Sequence, residues 1–198
     1  DGTGQEFVTT LVRAVQGTPN VTLWEHAFAV DLVIQDGRCA GAIVIRDGRS
    51  MVIGAGMTIL CTGGAGQIYR ETTNPSVATG DGHAMALRAG VAIADMEFVQ
   101  FHPTTLYVAG AARHLITEAT RGEGARLVDE KGDRFVFRYH ADGEMAPRDV
   151  VSRAIIQHLA MTEGVCAFLD LRHMGEGVKE RFPGIHRACS LYNLDITV

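Results

Sequence analysis

The stretch MTILCTGGAG (57–66) decides how this chain is read: a compact apolar run, Met57 to Cys61, leads directly into glycines. A short apolar run bounded by turn residues predicts a buried strand. Gly63, Gly64 and Gly66 then predict a turn at which backbone comes close to another group, because glycine lacks a Cβ and accepts dihedrals closed to other residues. A cofactor contact and a plain tight turn account for these letters equally well. Just upstream, Gly54-Ala55-Gly56 does not complete a dinucleotide fingerprint, since Ile59 stands where the third glycine belongs.

Toward the amino terminus, residues 4–16 carry Phe7, Leu11, Val12 and Val15 as a helical stripe, closed by Gly17-Thr18-Pro19-Asn20. β-rich runs follow at Val21–Leu23, Ala27–Ile34, Cys39–Ile45 and Ser50–Ile53. Asp36-Gly37 and Asp47-Gly48 between the later runs predict hairpin turns and an antiparallel meander. Downstream, a helix is expected over Asp81–Ala89, ended by Gly90, and a short strand over Val91–Ala94. The texture then changes to loops and short strands over 105–145, with a hairpin around Asp129 to Asp133. Pro147 opens an amphipathic helix with Val150, Val151, Ala154, Ile155 and Leu159 on one face. Cys166–Leu171 reads as a strand, and the tail as one or two short helices broken at Pro183-Gly184. The expected class is mixed α/β, best cut near residue 96.

The 198 residues are 46% hydrophobic and 21% charged, so the chain can form a packed core and wholesale disorder is excluded. Lys and Arg number 18 against 23 acidic residues, a net charge of −5, which argues against a nucleic-acid-binding domain. No apolar run approaches the roughly 20 residues that span a bilayer, so no direct membrane insertion is expected. Cys39, Cys61, Cys166 and Cys189 lie far apart without metal-ligand spacing and read as buried thiols in a reducing compartment. The chain opens on Asp-Gly-Thr-Gly rather than Met, as an internal piece of a longer protein would.

Several polar residues could carry chemistry, each with an ordinary alternative. Asp81 follows Thr79-Gly80 at a helix start, where capping alone would explain it. His102 precedes Pro103, which disfavours helix and points to an extended segment; such a histidine is commonly structural. Glu118 and Arg121 become neighbours if their segment is helical, as an ordinary ion pair would. Arg148, in the first turn of the Pro147 helix, works against the positive end of the helix dipole. It is either exposed to water or used together with that dipole to hold an anion.

Taken in order, TGGAGQIYRETTNPSVATGDGHAMALRAG (62–90), DMEFVQFHPTTLY (95–107), LITEATRGEGARLVDEKGDRF (115–135) and MAPRDVVSRAI (145–155) resemble the succinate dehydrogenase/fumarate reductase flavoprotein family. TTNP (72–75), RGEGA (121–125, where succinate dehydrogenases tend to carry RGEGG), APRD (146–149) and HMGEGVKERFPGIHRAC (173–189) look like the branch that oxidises L-aspartate. The resemblance implies FAD as cofactor, with Gly63, Gly64 and Ala65 passing close to it and Asp81 contacting it. It implies that residues 1–95 are part of the FAD-binding domain and 96–198 the smaller capping domain of a fumarate reductase-like flavoprotein. His102 and Thr117, with Gln100 as a further candidate, match ligands of the substrate carboxylates. Arg148 matches the proton donor/acceptor, and Glu118 with Arg121 the relay that connects it to solvent.

The implied substrate is a small dicarboxylate: L-aspartate, fumarate or succinate. The implied reaction is FAD-dependent oxidation of L-aspartate to iminoaspartate in cytoplasmic NAD biosynthesis. Oxygen or fumarate would take the electrons, and a partner enzyme would receive the iminoaspartate. A succinate/fumarate oxidoreductase and a non-catalytic scaffold with the flavoprotein fold are the alternatives. The family's amino-terminal glycine-rich strand is missing, as are later segments with a further substrate histidine and arginine. An isolated piece of this kind is expected to bind FAD poorly and turn over nothing.

Overall fold

The computed structural model describes residues 3–111 and 113–197. Helix α1 (Thr3–Gln16) forms where the apolar spacing places it, although its stripe faces solvent, with Phe7 and Val8 exposed. The meander follows as β1 (Phe28–Gln35), β2 (Arg38–Arg46) and β3 (Arg49–Gly54), antiparallel and paired in that order. Both hairpins turn through left-handed backbone, with φ of 49° and 73° at Asp36-Gly37 and 51° and 71° at Asp47-Gly48. Positive φ at both central residues gives the turn whose twist matches paired strands. Helix α2 (Asp81–Arg88) is tied to β1 through Arg88, which donates from Nε to Asp31 Oδ2 and from Nη2 to the Val30 carbonyl, each at 2.9 Å.

Three expected strands do not form. Val21–Leu23, Met57–Cys61 and Val91–Ala94 are irregular. A strand exists only by pairing, and none of these runs has a strand partner among the described residues. The side chains of Met57 and Ile59, expected in a core, are 89% and 85% exposed. Of the cysteines read as buried, only Cys189 is; Cys39 and Cys166 are half-buried and Cys61 is exposed. All four thiols are free.

From Val99 onward the elements are β4 (Thr105–Leu106), β5 (His114–Leu115), α3 (Ala119–Gly122), β6 (Arg126–Val128), α4 (Arg148–Thr162), β7 (Phe168–Asp170), α5 (Gly177–Arg181) and α6 (Pro183–Ser190). β4 pairs with β5 and β6 with β7, both antiparallel. The hairpin at Asp129–Asp133 closes through a bridge between Val128 and Arg134. Phe182 separates the two tail helices, and Pro183 stands at the first turn of α6, where its missing N–H costs nothing.

One core cluster joins Leu127, Phe135 and Val136 to Val151 and Ala154 of α4; another joins Ala125 and Leu171 to Val178, Phe182 and Ile185. The apolar face of α4 is formed as expected at Val151 and Ala154, but the next buried position is His158. Its ring stacks on Phe135 with centroids 4.1 Å apart, and its Nε2 lies 3.1 Å from Asp129 Oδ2.

The chain divides into two compact units, one over Gln5–Phe98 and the other from Val99 onward with the first residues of α1. The backbone turns just before this division, at Asp95 (φ 59°), whose carbonyl accepts from Phe98 N–H. Phe135 is fully enclosed, so Phe135→Ala should lower stability by about 3–5 kcal/mol in urea denaturation. Phe168→Ala, at a half-exposed position, should cost much less; equal losses would contradict this placement of the core.

Candidate functional site

His102 is set by the segment around it. The Phe101 carbonyl accepts from Ser152 Oγ of α4 at 2.8 Å. Thr104 donates from Oγ1 to the Ile116 carbonyl at 3.0 Å, and Ile116 N–H returns a bond to the Thr104 carbonyl at 3.1 Å. The β4–β5 pair thus carries the His102 segment alongside Thr117 and Glu118. His102 Nδ1 accepts from Thr104 N–H at 3.2 Å, and Thr117 Oγ1 accepts from Ala119 N–H at 3.4 Å.

Glu118 is the N-cap residue of α3, and the one helical turn from it brings Arg121 back to the same side. Each of its carboxylate oxygens faces a different guanidinium. Oε2 accepts from Arg148 Nε at 2.6 Å, and Oε1 lies 3.7 Å from Arg121 Nη2. Arg148 is the first residue of α4, directly after Pro147, and its side chain is 45% exposed. The hydrogen bond from Arg148 is the main cause that holds the Glu118 carboxyl below its usual value. Burial lowers the pKa of His102, and the Arg148 and Arg121 charges lower it further against the pull of the Thr104 carbonyl and Glu118. A neutral imidazole, a hydroxyl and two cations joined by one carboxylate can bind a small anion and move a proton.

His102, Glu118, Arg121 and Arg148 therefore share one electrostatic environment, with Thr117 next in the chain to Glu118. Gln100 is exposed and makes no hydrogen bond into this group among the described residues.

Two charged residues at this site were not legible in the sequence. Glu144 is 2% exposed; Leu127 N–H donates to its Oε1 at 3.0 Å, and Arg134 donates from Nε and Nη2 to its two oxygens at 2.8 Å each. Its main-chain oxygen accepts from Arg121 Nη1. The one available signal was a glutamate standing between Gly143 and the apolar-then-proline run Met145-Ala146-Pro147.

In the other unit, the glycine loop is held by Gly80 N–H donating to the Gly64 carbonyl at 3.2 Å. Gly63 has φ of 74°, and no atom lies within 4 Å of where a Cβ would stand on it or on Gly64. Gly82 is the reverse case: a Cβ there would sit 1.8 Å from Thr62 Oγ1, so α2 packs directly on the loop. Asp81 Oδ2 accepts from Thr79 Oγ1 at 2.6 Å, and Ala65 is half-buried beside Gly80. His83 Nδ1, one residue beyond the Gly82 contact, is buried without a hydrogen-bond partner among the described residues. Open backbone at Gly63 and Gly64 fits the close approach of a flat hydrogen-bonding group such as that of FAD.

The family model described as FAD binding domain matches residues 1–197. L-aspartate oxidase from Nostoc sp. is 47% identical over 99% of this chain and 35% of its own length. L-aspartate oxidase 1 from Ralstonia nicotianae is 46% identical over 100% of this chain and 39% of its own. Among solved structures, a quinol-fumarate reductase with menaquinol molecules superposes with a TM-score of 0.84 at 34% identity, over 95% of this chain and 36% of that one. The chain thus spans little more than a third of the length of the relatives it matches.

Burial pushes the Glu144 carboxyl up, but the bonds from Arg134 and the Leu127 N–H outweigh it and hold the group below its ordinary 4.5. A depressed carboxyl stabilises the fold above the unfolded-state value and loses that contribution as pH falls through the folded one. The thermal midpoint of the parent should therefore exceed that of Glu144→Gln at pH 6, and the gap should narrow below about pH 4.5. A gap that stays constant down to pH 3 would contradict this account.

Proposed function

The chain belongs to the FAD binding domain family, and from that premise we propose that its parent protein oxidises L-aspartate to iminoaspartate with FAD. The observation that carries this reading is the Arg148–Glu118–Arg121 array, in a sequence 47% identical to an L-aspartate oxidase. The product would feed NAD biosynthesis in the cytoplasm through a partner enzyme that receives iminoaspartate, with oxygen or fumarate as the final acceptor. Residues 1–95 act as part of the FAD-binding domain and 96–198 as the capping, substrate-binding domain.

Gly63 and Gly64 hold FAD through their open backbone, with Ala65 beside them and Asp81 as a polar contact. Bound there, FAD would supply the hydride chemistry, as acceptor in the oxidative direction and donor in the reductive one. His102 and Thr117 bind the carboxylates, with Gln100, outside that group, the weaker candidate; a neutral His102 donates a hydrogen bond without itself needing a counter-ion. In fumarate reduction Arg148 gives a proton to the carbon beside the one that receives hydride. Free arginine holds its proton above pH 12. The transfer therefore depends on Glu118 resupplying Arg148 and on Arg121 resupplying Glu118.

A succinate/fumarate oxidoreductase is the second reading, supported by the likeness to quinol-fumarate reductase. A full-length protein that oxidises succinate and ignores L-aspartate would decide for it. A non-catalytic scaffold is disfavoured by the retention of His102, Thr117, Glu118, Arg121 and Arg148 together.

In the full-length enzyme, Arg148→Leu should lower fumarate-reducing turnover by roughly a hundredfold or more, about 3 kcal/mol of transition-state stabilisation. Flavin content should stay near that of the parent. Arg148→Lys keeps the charge without the planar fork and should also be strongly impaired. Turnover retained in the leucine variant, or flavin lost along with it, would remove Arg148 from this role.

A further inference from the structure

Arg121 is 2% exposed, yet its one strong bond is from Nη1 to the main-chain oxygen of Glu144. Its Nε and Nη2 are buried with no hydrogen-bond partner among the described residues. A guanidinium is a rigid plane of donors, so the acceptor that takes one of them sets the direction of the rest. Here the Glu144 oxygen leaves Nη2 directed toward Glu118 Oε1, 3.7 Å away.

That oxygen has no freedom of its own. It belongs to the short 3-10 turn Gly143–Met145, whose glutamate carboxylate is clamped by Arg134 and by the Leu127 N–H of β6. Gly143 has φ of 53°, and a Cβ on it would lie 2.4 Å from Phe137 Cζ, so the turn is also wedged against that ring. The Arg134 guanidinium covers the same ring at 4.5 Å. An ion pair that desolvates its carboxylate while its arginine stays 43% exposed is a poor source of stability, because the cost of burying Glu144 offsets much of the attraction. Fixing geometry is what such a pair does well.

We infer that Glu144 and Arg134 are positioning residues for proton transfer: their ion pair, with Glu144 buried and Arg134 half-exposed, holds the main-chain oxygen that orients Arg121 toward Glu118. This rests on the relay reading given above. The electrostatics agree with it. Burial lowers the pKa of Arg121, Glu118 raises it, Arg148 lowers it and Glu144 raises it, so Glu144 also bears on how readily Arg121 gives up a proton.

The test is steady-state fumarate reduction by the full-length, FAD-loaded enzyme, with kcat expressed per bound flavin. In Glu144→Gln, Oε1 can still accept from Leu127, but an amide N–H meets Arg134 Nη2, so the clamp loosens. We expect kcat to fall about tenfold, as misplaced transfer groups do, with KM for fumarate within about twofold of the parent. Arg134→Lys keeps the charge and loses the fork, and should fall less. It also decides the question by the same readout if the glutamine variant does not fold. Glu118→Gln serves as the control. If Glu118→Gln loses turnover while kcat in both other variants stays within twofold of the parent, the ion pair is structural only and the inference fails. A change confined to KM overturns it equally. If Glu118→Gln keeps full turnover, the relay reading itself falls, and the inference with it.

Discussion

A carboxylate taken out of water must find donors or give up its charge, and the second unit is arranged around Glu144 meeting that demand. Its donors come from separate places: a strand amide at Leu127 and the side chain of Arg134 just past the hairpin. The same residue offers its carbonyl to Arg121. Loosening Glu144 would therefore release a strand, a hairpin and the last turn of α3 at once. Leu127, whose amide is one of these tethers, also belongs to the apolar cluster around Phe135 and Val151.

The second organising constraint is a charge set against a dipole. Arg148 stands where the amide end of α4 is already positive, a placement that costs a few tenths of a kcal/mol or more. Glu118 offsets it from another helix, and Asp149, next to Arg148, offsets it from within the same turn. The result is a pair of cations facing one carboxylate near a histidine kept uncharged by burial and by those same cations. An incoming dianion would find net positive charge and neutral donors there, while the protein overall is acidic.

Local chemistry was legible in the sequence wherever one or two residues dictate backbone. Asp36-Gly37 and Asp47-Gly48 had to turn, Pro147 had to start a helix, and Glu118 with Arg121 needed only one helical turn to meet. Features that depend on distant partners were not legible. Met57–Cys61 has the composition of a buried strand, but pairing, not composition, makes a strand. Glu144 and His158 are polar letters whose burial follows from Arg134 and Asp129, and no periodicity encodes such a match. At the candidate site the sequence supplied the residues, their shared environment came from the β4–β5 pairing, and Gln100 stayed outside it.

The contact between Thr62 and Gly82 carries an evolutionary consequence. The space that a side chain at position 82 would occupy already belongs to the threonine hydroxyl. Two positions well separated along the chain therefore share a single volume, and position 82 cannot gain a side chain while the threonine stands. Selection for a tight joint between the loop and α2 would appear in a lineage as paired exchange or as stasis at both positions. A glycine held in this way records the shape of its neighbour more than any property of its own.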